Sequence, residues 1–524
     1  MVTLYDTTLR DGTQREGMSL SVDDKLRIAV KLDLLGVHYI EGGFPGSNPK
    51  DIEFFARARD LKLETAVISA FGSTRRKGVA AEDDPGLRTL LDTGCEALCI
   101  VGKAWDLQVT EALGATLDEG IAMARDSVAY LKSRARTVFF DAEHFFDGYN
   151  ANPDYAVGVC IAAAEAGADA IVLCDTNGGM LPSDIARIVA DVHERVSVPL
   201  GIHTHNDSGC AGANTLTAVD AGCTQVQGTV NGYGERTGNA DLIAIVAGLV
   251  LKMGDDCVSR EQLRLLTEVS HFVAETANLG PNAQQPYVGA SAFAHKGGLH
   301  ASATGRLAGA YEHVDPASVG NLARVVVSEL AGRASLTMKA AELGIDLSGE
   351  QAAAVLDDIK DLEYHGYSFE AADASLAIML QKRLGTYEPA FTLESFRVIA
   401  EKREDGRVAT EATIKIHVSG HRYIATAEGN GPVNALDKAL RIAIGRFYPQ
   451  LAFMTLDDYK VRVLEDKKGT GAITRVLIDT KNAQTSWGTV GVSENIIEAS
   501  WEALVDAVEY GLRQSSESDD AQDS

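Results

Sequence analysis

The first half of the chain repeats one unit, and this repeat constrains the fold more than any other feature. In each unit a short apolar run rich in β-branched residues precedes a polar or Gly-rich loop and an Ala/Leu-rich helical stretch. The predicted strands are residues 2–8, 39–43, 65–70, 97–102, 137–142, 170–174, 200–204 and 225–230. The predicted helices include residues 22–35, 117–133, 154–166, 182–196, 211–221 and 240–252. Eight β-α units in roughly 250 residues have the size of a (β/α)8 TIM barrel, although the alternation also fits a doubly wound open α/β sheet.

Unusual polar residues follow the predicted strands, and their positions favour the barrel. They are Arg10, Asp11, Glu41, Glu143, Thr176, His203, His205, Glu235 and Asn239. In a barrel the carboxyl ends of all the strands meet at one face, where active sites lie. An open sheet would instead spread these residues along an edge. We therefore expect one polar site at the mouth of a barrel.

The segment HTHND at 203–207 is the strongest local indication of a metal site. Residues i and i+2 of an extended strand point to the same side, so His203 and His205 can reach one ion. Asp11 ends the first strand, which neighbours the eighth in a closed barrel, and it can supply a carboxylate. Two histidines and one carboxylate leave open positions for substrate, and Mn²⁺, Mg²⁺, Co²⁺ or Zn²⁺ would suit them. The alternative is a pair of histidines satisfied at the surface or in the core.

Two charged residues near this segment have two interpretations each. The guanidinium of Arg10 can pair with a substrate oxygen and stabilise a developing enolate, or it can form a structural salt bridge with Glu41. Glu143, at the end of the fifth predicted strand, can take part in proton transfer or bind a cofactor group. Its structural alternative is an ion pair with Arg10.

A Gly-rich loop, GYGERTGN at 232–239, follows the eighth predicted strand. Such a loop lets backbone N–H groups, such as those near Gly232 and Gly234, approach phosphate oxygens at a helix N-terminus. Phosphate sites in barrels often use the last loops. The alternative is an ordinary tight βα turn, which also needs glycine. Asn239, at the end of the loop, can also reach the metal.

The composition excludes several classes of partner. A formal net charge of −26 argues against a nucleic-acid partner and against an anionic membrane surface. The seven cysteines form no C-x-x-C pair, which is typical of reduced thiols in a cytosolic protein. The N-terminus shows no signal-peptide pattern, and no apolar run approaches the roughly 18 residues of a membrane helix. We expect a cytoplasmic protein.

The pattern changes after the barrel, and it predicts further domains. We expect residues 1–275 to form the barrel, 276–385 a helical linker that contributes to the site, and 386–513 an α+β domain. In that domain the predicted strands are 391–400, 409–418 and 421–428, and the predicted helices are 432–447 and 494–511. Residues 514–524 are rich in Ser, Asp and Glu and have almost no apolar side chains, so we expect a disordered tail.

Three segments together resemble one family. DTTLRDGTQREG at 6–17, HTHND at 203–207 and GERTGN at 234–239 are similar to the metal-dependent DRE-TIM group, and the similarity continues through FAHKGGLH at 293–300. That group includes isopropylmalate, homocitrate and citramalate synthases and hydroxymethylglutaryl-CoA lyase. Residues 39–49 look most like the longer bacterial citramalate synthases. The C-terminal stretch resembles their feedback-regulatory domain, which the lyases lack, so synthesis is preferred over cleavage.

The resemblance implies an activity and a site. It implies condensation of acetyl-CoA with pyruvate to give (R)-citramalate, on a route to isoleucine, with isoleucine as the expected effector and a homodimer as the expected assembly. The nearest alternative is 2-isopropylmalate synthase, which uses 2-oxoisovalerate. The implied metal ligands are Asp11, His203, His205 and Asn239; the implied catalytic residues are Arg10, Glu143, His300 and Tyr311; the implied substrate contacts are Arg10, Gln14, Glu41, Thr176, Gly232, Gly234 and Glu235.

One position departs from the resemblance, and two other protein classes remain to be distinguished. Some citramalate synthases carry an aromatic residue where this chain has Asp141, so the resemblance does not define the details of the pyruvate pocket. An Fe(II) oxygenase also uses two histidines and a carboxylate, but it would need oxygen for turnover. An amino-acid sensor would keep its ligand response after Asp11→Ala or His203→Ala and would show no turnover.

Overall fold

The computed structural model describes residues 1–295, 307, 309, 311–325, 327, 332–464, 472–483 and 485–522. The chain divides into two compact units. The barrel unit comprises Met1–Phe293 with Glu312–Ala323, and the C-terminal unit comprises Ala294–Tyr311 with Arg324–Ser524.

Eight parallel strands close into a barrel, which confirms the predicted TIM-barrel fold and excludes the open sheet. The strands are β1 (Thr3–Asp6), β2 (Tyr39–Gly43), β3 (Val67–Ser73), β4 (Ala97–Lys103), β5 (Thr137–Glu143), β6 (Ala170–Asp175), β7 (Leu200–Thr204) and β8 (Gln225–Gly228). Pairing of β1 with β8, from Thr3 opposite Gln225 to Asp6 opposite Gly228, closes the sheet. The ends of all eight strands therefore share one rim.

The helices of the barrel unit begin where the sequence supplies good caps. They are α1 (Val22–Leu35), α2 (Pro49–Ala58), α3 (Pro85–Asp92), α4 (Leu117–Lys132), α5 (Phe145–Ala151), α6 (Pro153–Glu165), α7 (Pro182–Arg195), α8 (Ala211–Asp220), α9 (Leu242–Gly248), α10 (Arg260–Leu263) and α11 (Leu266–Thr276). Ser21 and Asp24 form a capping box at α1. Asn48 caps α2, whose first residue is Pro49. The predicted helices did not include α2, α3, α5, α10 and α11.

The interior of the barrel changes from apolar to polar towards the rim. Tyr5, Tyr39 and Phe139 fill the lower level, with the rings of Tyr39 and Phe139 4.9 Å apart in an edge-on arrangement. Successive side chains on one side of a strand are two residues apart, so Phe139, Asp141 and Glu143 of β5 share the inward side. The apolar level supports the polar residues that follow it in each strand.

The C-terminal unit contains a helical region and two similar βββα segments. The helices are Arg333–Glu342, Gly349–Tyr364 and Asp373–Leu384. The first segment has strands Thr392–Lys402, Val408–Val418 and His421–Gly429 and the helix Pro432–Ile444. The second has strands Thr455–Val463, Thr474–Lys481 and Ser486–Ser493 and the helix Ile496–Gln522. Each set of three strands forms an antiparallel sheet, so the predicted α+β architecture is confirmed.

Three expectations about secondary structure differ from what is observed. The strands of the second βββα segment were not predicted. The tail expected to be disordered continues as helix to Gln522, because extending an existing helix costs much less than nucleating one. The predicted helix 240–252 is α9 followed by a π-helical turn, Leu249–Met253.

All seven cysteines are free thiols, as expected, and no described helix is both long and apolar enough to span a membrane.

Candidate active site

The structure brings Asp11, His203 and His205 together at the rim of the barrel. Their potential ligand atoms all lie within 4.8 Å of one another. His203 Nε2 is 3.2 Å from Asp11 Oδ2 and 3.3 Å from His205 Nε2. All three residues are buried. Alternation along β7 places the two imidazoles on one side, as the sequence predicted, and the loop after β1 supplies the carboxylate.

The electrostatics of this group suit a cation. Burial alone would raise the pKa of Asp11, but Arg10 and His203 outweigh it and hold that pKa well below its usual range. Burial and the neighbouring His203 lower the pKa of His205 to about 4, so its imidazole is neutral near pH 7. An ionised carboxylate and a neutral imidazole are the forms that bind divalent metal ions.

Asn239 adds a fourth candidate donor, an amide oxygen, beside His205. Its backbone pairs with His205 in a β-bridge, and its Nδ2 donates to the carbonyl of Tyr233 at 3.1 Å. Its Oδ1 is buried without a hydrogen-bond partner among the described residues. Buried amide oxygens are nearly always satisfied, so an acceptor left open here fits a ligand. The donor set of carboxylate, two imidazoles and amide oxygen therefore fits a divalent ion.

The loop at 232–239 folds back on itself. Gly238 has φ +95°, and an added Cβ there would lie 2.0 Å from the carbonyl oxygen of Gly232. The N–H of Asn239 donates to Gly232 O at 3.0 Å, and the N–H of Gly238 donates to Glu235 O at 2.8 Å. These N–H groups donate to carbonyl oxygens of the same loop. The hydrogen bonds therefore hold Asn239 in position. The expected substrate contacts of Gly232 and Gly234 stay predictions.

Arg10 forms the salt bridge that the sequence left open as one interpretation, and its contact with substrate stays a prediction. Its Nε donates to Glu41 Oε2 at 2.5 Å, so the salt bridge exists. Its guanidinium also lies 3.4 Å from Asp11 Oδ1 and 3.9 Å from the centre of the Phe71 ring. Tyr5 donates its hydroxyl to the other oxygen of Glu41 at 2.9 Å. Glu41 thus orients the guanidinium of Arg10, which lines a cavity at the rim of the barrel.

The expectation that Glu41 contacts substrate stays a prediction, and the structure gives this residue other partners. Its side chain is completely buried, and both carboxylate oxygens are occupied by Arg10 and Tyr5. The sequence predicted that Glu41 lies at a strand end. It did not predict that Arg10 would cover the carboxylate. Its position supports Arg10, which stands between Glu41 and the cavity.

A cavity of about 470 Å³ opens at the rim. It is lined by these predicted site residues: Arg10, Asp11, Gln14, Glu143, Thr176, His203, His205 and Glu235. Glu143 forms an ion pair with Lys103, at the end of β4, and not, among the described residues, the pair with Arg10 that was its structural alternative. Thr176 Oγ1 accepts a hydrogen bond from the N–H of His144 at 2.8 Å.

Comparison with known proteins assigns the family. Residues 1–273 match the family model described as HMGL-like. An (R)-citramalate synthase of Geobacter sulfurreducens is 53% identical over 520 residues, which cover 99% of this chain and 98% of that protein. The chain belongs to the HMGL-like family. Within the family it groups with the (R)-citramalate synthases, and it is an enzyme of the acyltransferase type.

Other similarities extend over nearly the whole chain. An (R)-citramalate synthase of Streptomyces coelicolor is 54% identical over 97% of this chain and 96% of that protein. A probable 2-isopropylmalate synthase of Methanopyrus kandleri is 31% identical over 97% of each. Residues 287–366 match the homocitrate synthase post-HMGL domain-like model, and residues 370–512 match the LeuA allosteric (dimerisation) domain. The predicted family is confirmed.

The sequence missed two cations of the HMGL-like site. Lys103 pairs with Glu143, and Arg236 donates to both carboxylate oxygens of Asp207, at 2.8 and 2.9 Å, and to Thr176 O at 2.8 Å. Arg236 thereby ties together the loops after β6, β7 and β8. A strand-end position was the available signal for Lys103, but the pairing of Arg236 depends on loop conformations that spacing does not reveal.

Two predicted catalytic residues follow the barrel in sequence. His300 lies outside the described residues. Tyr311 belongs to the C-terminal unit, where its side chain is 49% exposed and its ring centre lies 6.3 Å from that of His295. The catalytic assignments of both residues stay predictions.

Proposed function

We propose that the chain catalyses a Claisen-type condensation of acetyl-CoA with pyruvate and hydrolysis of the thioester, giving (R)-citramalate and CoA. The observation that carries the proposal is the cluster of Asp11, His203 and His205 beside Arg10 in one rim cavity. Two positively charged groups would thus be available to a 2-oxo acid: a metal ion for its carboxylate and keto oxygens, and a guanidinium for developing negative charge.

Asp11, His203 and His205, with Asn239, would hold a divalent metal ion. When bound, the ion supplies Lewis-acid polarisation of the keto carbonyl. Arg10 is pre-oriented by Glu41, so its guanidinium faces the cavity without reorganisation during the reaction. We assign it to the alkoxide oxygen that forms when the acetyl carbon attacks the keto carbon.

A methyl proton of acetyl-CoA must leave before the new carbon–carbon bond forms. His300, acting with Glu143, is our candidate for this proton transfer. Glu143 lines the cavity and is paired with Lys103, so its carboxylate is held at the rim. A water molecule then cleaves the thioester of the condensed product, which releases CoA as the free thiol. Thr176, Gln14 and Glu235 line the same cavity and are proposed substrate contacts.

Release of the CoA thiol gives a direct test of the reaction and of its acceptor. With acetyl-CoA and a divalent metal, we expect thiol release that depends on pyruvate and exceeds that with 2-oxoisovalerate. Asp11→Asn should abolish it, because the carboxylate ligand is lost. Asp220→Asn, a change at an exposed carboxylate on α8, is the matched control and should retain activity. A preference for 2-oxoisovalerate would assign the chain to 2-isopropylmalate synthesis instead.

We propose that isoleucine inhibits the enzyme through the C-terminal domain and that the enzyme is a homodimer. Support comes from the match of residues 370–512 to an allosteric and dimerisation domain. That region also contains a cavity of about 810 Å³, lined in part by Asn434, Tyr448 and Tyr459. We place the boundaries of the catalytic barrel, linker and regulatory domain near residues 275 and 385.

The regulatory proposal has two separate tests. Initial rates should fall with added isoleucine and change little with leucine, since isoleucine would be the end product of this route. Tyr459→Ala should weaken inhibition while it leaves the uninhibited rate intact. Light scattering should give twice the chain mass of 55.7 kDa. A monomer, or an inhibition profile that favours leucine, would contradict the respective proposal.

A further inference from the structure

A buried amide joins the metal-site cluster to a buried carboxylate on another strand of the barrel, β5. Gln227 of β8 is completely buried. Its Oε1 lies 2.8 Å from His203 Nδ1, and its Nε2 donates to Asp141 Oδ1 at 3.0 Å. Asp141 is 3% exposed and lies on β5. Three side chains from three strands therefore form one continuous chain of hydrogen bonds.

The donor and acceptor groups of Asp141, Gln227 and His203 fix the direction of each hydrogen bond between them. A carboxylate oxygen accepts, so the end of Gln227 that faces Asp141 must be the amide nitrogen. The amide oxygen then faces His203, and an amide oxygen can only accept. His203 Nδ1 must therefore carry the hydrogen, so in the neutral form of the ring that binds a metal the lone pair lies on Nε2. That atom is the one that faces Asp11 and His205.

We propose that Gln227 and Asp141 are positioning residues that set the tautomer and ring orientation of His203 for metal binding. The inference rests on the proposed metal centre and goes beyond it, because neither residue belongs to the predicted ligand set. Partners of this kind on the second ring nitrogen typically change metal affinity by about 10–100-fold. The inference also gives a role to Asp141, the position at which the chain departs from its resemblance.

The same strand supplies a matched control. Gln225 lies two residues before Gln227, so both side chains point to the same side of β8. It is equally buried, at 3% exposed. Its amide nitrogen and oxygen have no hydrogen-bond partner among the described residues. A change at Gln225 therefore perturbs the barrel interior without touching the hydrogen-bond chain.

The test measures metal affinity in the full-length protein. Protein stripped of metal is titrated with Co²⁺ against a competing chelator, and the visible absorption of the bound ion reports its coordination geometry. We expect Gln227→Met, which keeps the shape of the side chain, to weaken Co²⁺ binding by about 10–100-fold and to alter the spectrum. Gln225→Met should match the wild type in both measurements. Circular dichroism establishes that each variant is folded.

A double variant separates a chain of contacts from two independent effects. Because Asp141 acts through Gln227, Asp141→Ala should weaken binding alone but add nothing to Gln227→Met. Losses that multiply in the double variant would refute the inference, as would wild-type affinity in Gln227→Met. Asp141→Asn keeps an acceptor oxygen and should bind more tightly than Asp141→Ala; equal losses would also refute it. A wild-type protein that fails to bind Co²⁺ would overturn the metal centre itself, and the inference with it.

Discussion

Replacing Glu41 by Gln tests whether this buried carboxylate supports Arg10 or contacts substrate. The carboxylate accepts from Arg10 Nε and from the hydroxyl of Tyr5. The amide of Gln offers one acceptor oxygen, so one of these donors would face an NH₂ group instead. A buried donor without an acceptor costs about 1–3 kcal/mol, and breaking a buried ion pair costs about 3–5 kcal/mol.

The remaining contacts of Arg10 place the expected loss at the lower end of these ranges. Arg10 keeps Asp11 at 3.4 Å and its stacking on Phe71 at 3.9 Å. We therefore expect Glu41→Gln to lower the free energy of unfolding by about 2–3 kcal/mol. A guanidinium that loses its orienting partner should stabilise the alkoxide less well, and about 1.4 kcal/mol of lost stabilisation lowers kcat tenfold.

Denaturant titration and initial rates of CoA release measure the two effects separately. We expect kcat to fall by about 10-fold or more, with little change in the KM for pyruvate. Tyr5→Phe is the control, because it removes one hydroxyl and leaves the ion pair; it should cost about 1 kcal/mol. A raised KM with unchanged kcat would show instead that Glu41 binds substrate directly. Unchanged stability would refute the proposed support.

Three further predictions concern other positions. Gly238→Ala should destabilise the protein by about 2–4 kcal/mol in denaturant titrations, because the added Cβ would lie 2.0 Å from Gly232 O; Gly209→Ala, where φ is +74° and nothing lies within 4 Å, should cost less. Burial raises the pKa of Asp6 from 3.8 to about 7, so the folded state holds the carboxyl proton more tightly than the unfolded state. The contribution of Asp6 to the free energy of unfolding therefore falls as the pH rises from the lower of these two values to the higher. Asp6→Asn should remove this loss, about 1.4 kcal/mol per pH unit; parallel pH profiles of the two proteins would contradict it. Removal of metal by a chelator should lower the melting temperature of the wild type. An equal decrease in His203→Ala would argue against the site.

The sequence predicted the parts of the molecule that local periodicity determines. The repeat of eight β-α units identified the barrel, and alternation along one strand placed His203 and His205 on one side. Strand ends identified Asp11 and Arg10, since every strand of a barrel ends at the same rim. The family resemblance added the expected regulatory role of the C-terminal domain. These features required no knowledge of which strand faces which across the interior.

Contacts between distant strands were outside the reach of that reasoning. Gln227 and Asp141 meet across the barrel, and neither residue has a distinctive spacing from His203. Arg236 contacts Asp207 through two loops whose conformations depend on glycine. The strand Thr455–Val463 was missed for a different reason: its residues are mostly exposed on both sides, so hydrophobic alternation is weak. Tertiary packing determines each of these features.

Closure of the barrel by β1 and β8 has a consequence for how the site is acquired. Asp11 follows the first strand to be synthesised, whereas His203 lies in the seventh, and β1 lacks its second partner until β8 is complete. The cation-binding group is thus assembled from contacts of long sequence separation, which form late in folding. A nascent chain truncated before β8 would display the first-strand motif but would have no site to load. Metal would therefore be taken up after synthesis of the barrel is complete, and its binding would stabilise the closed form.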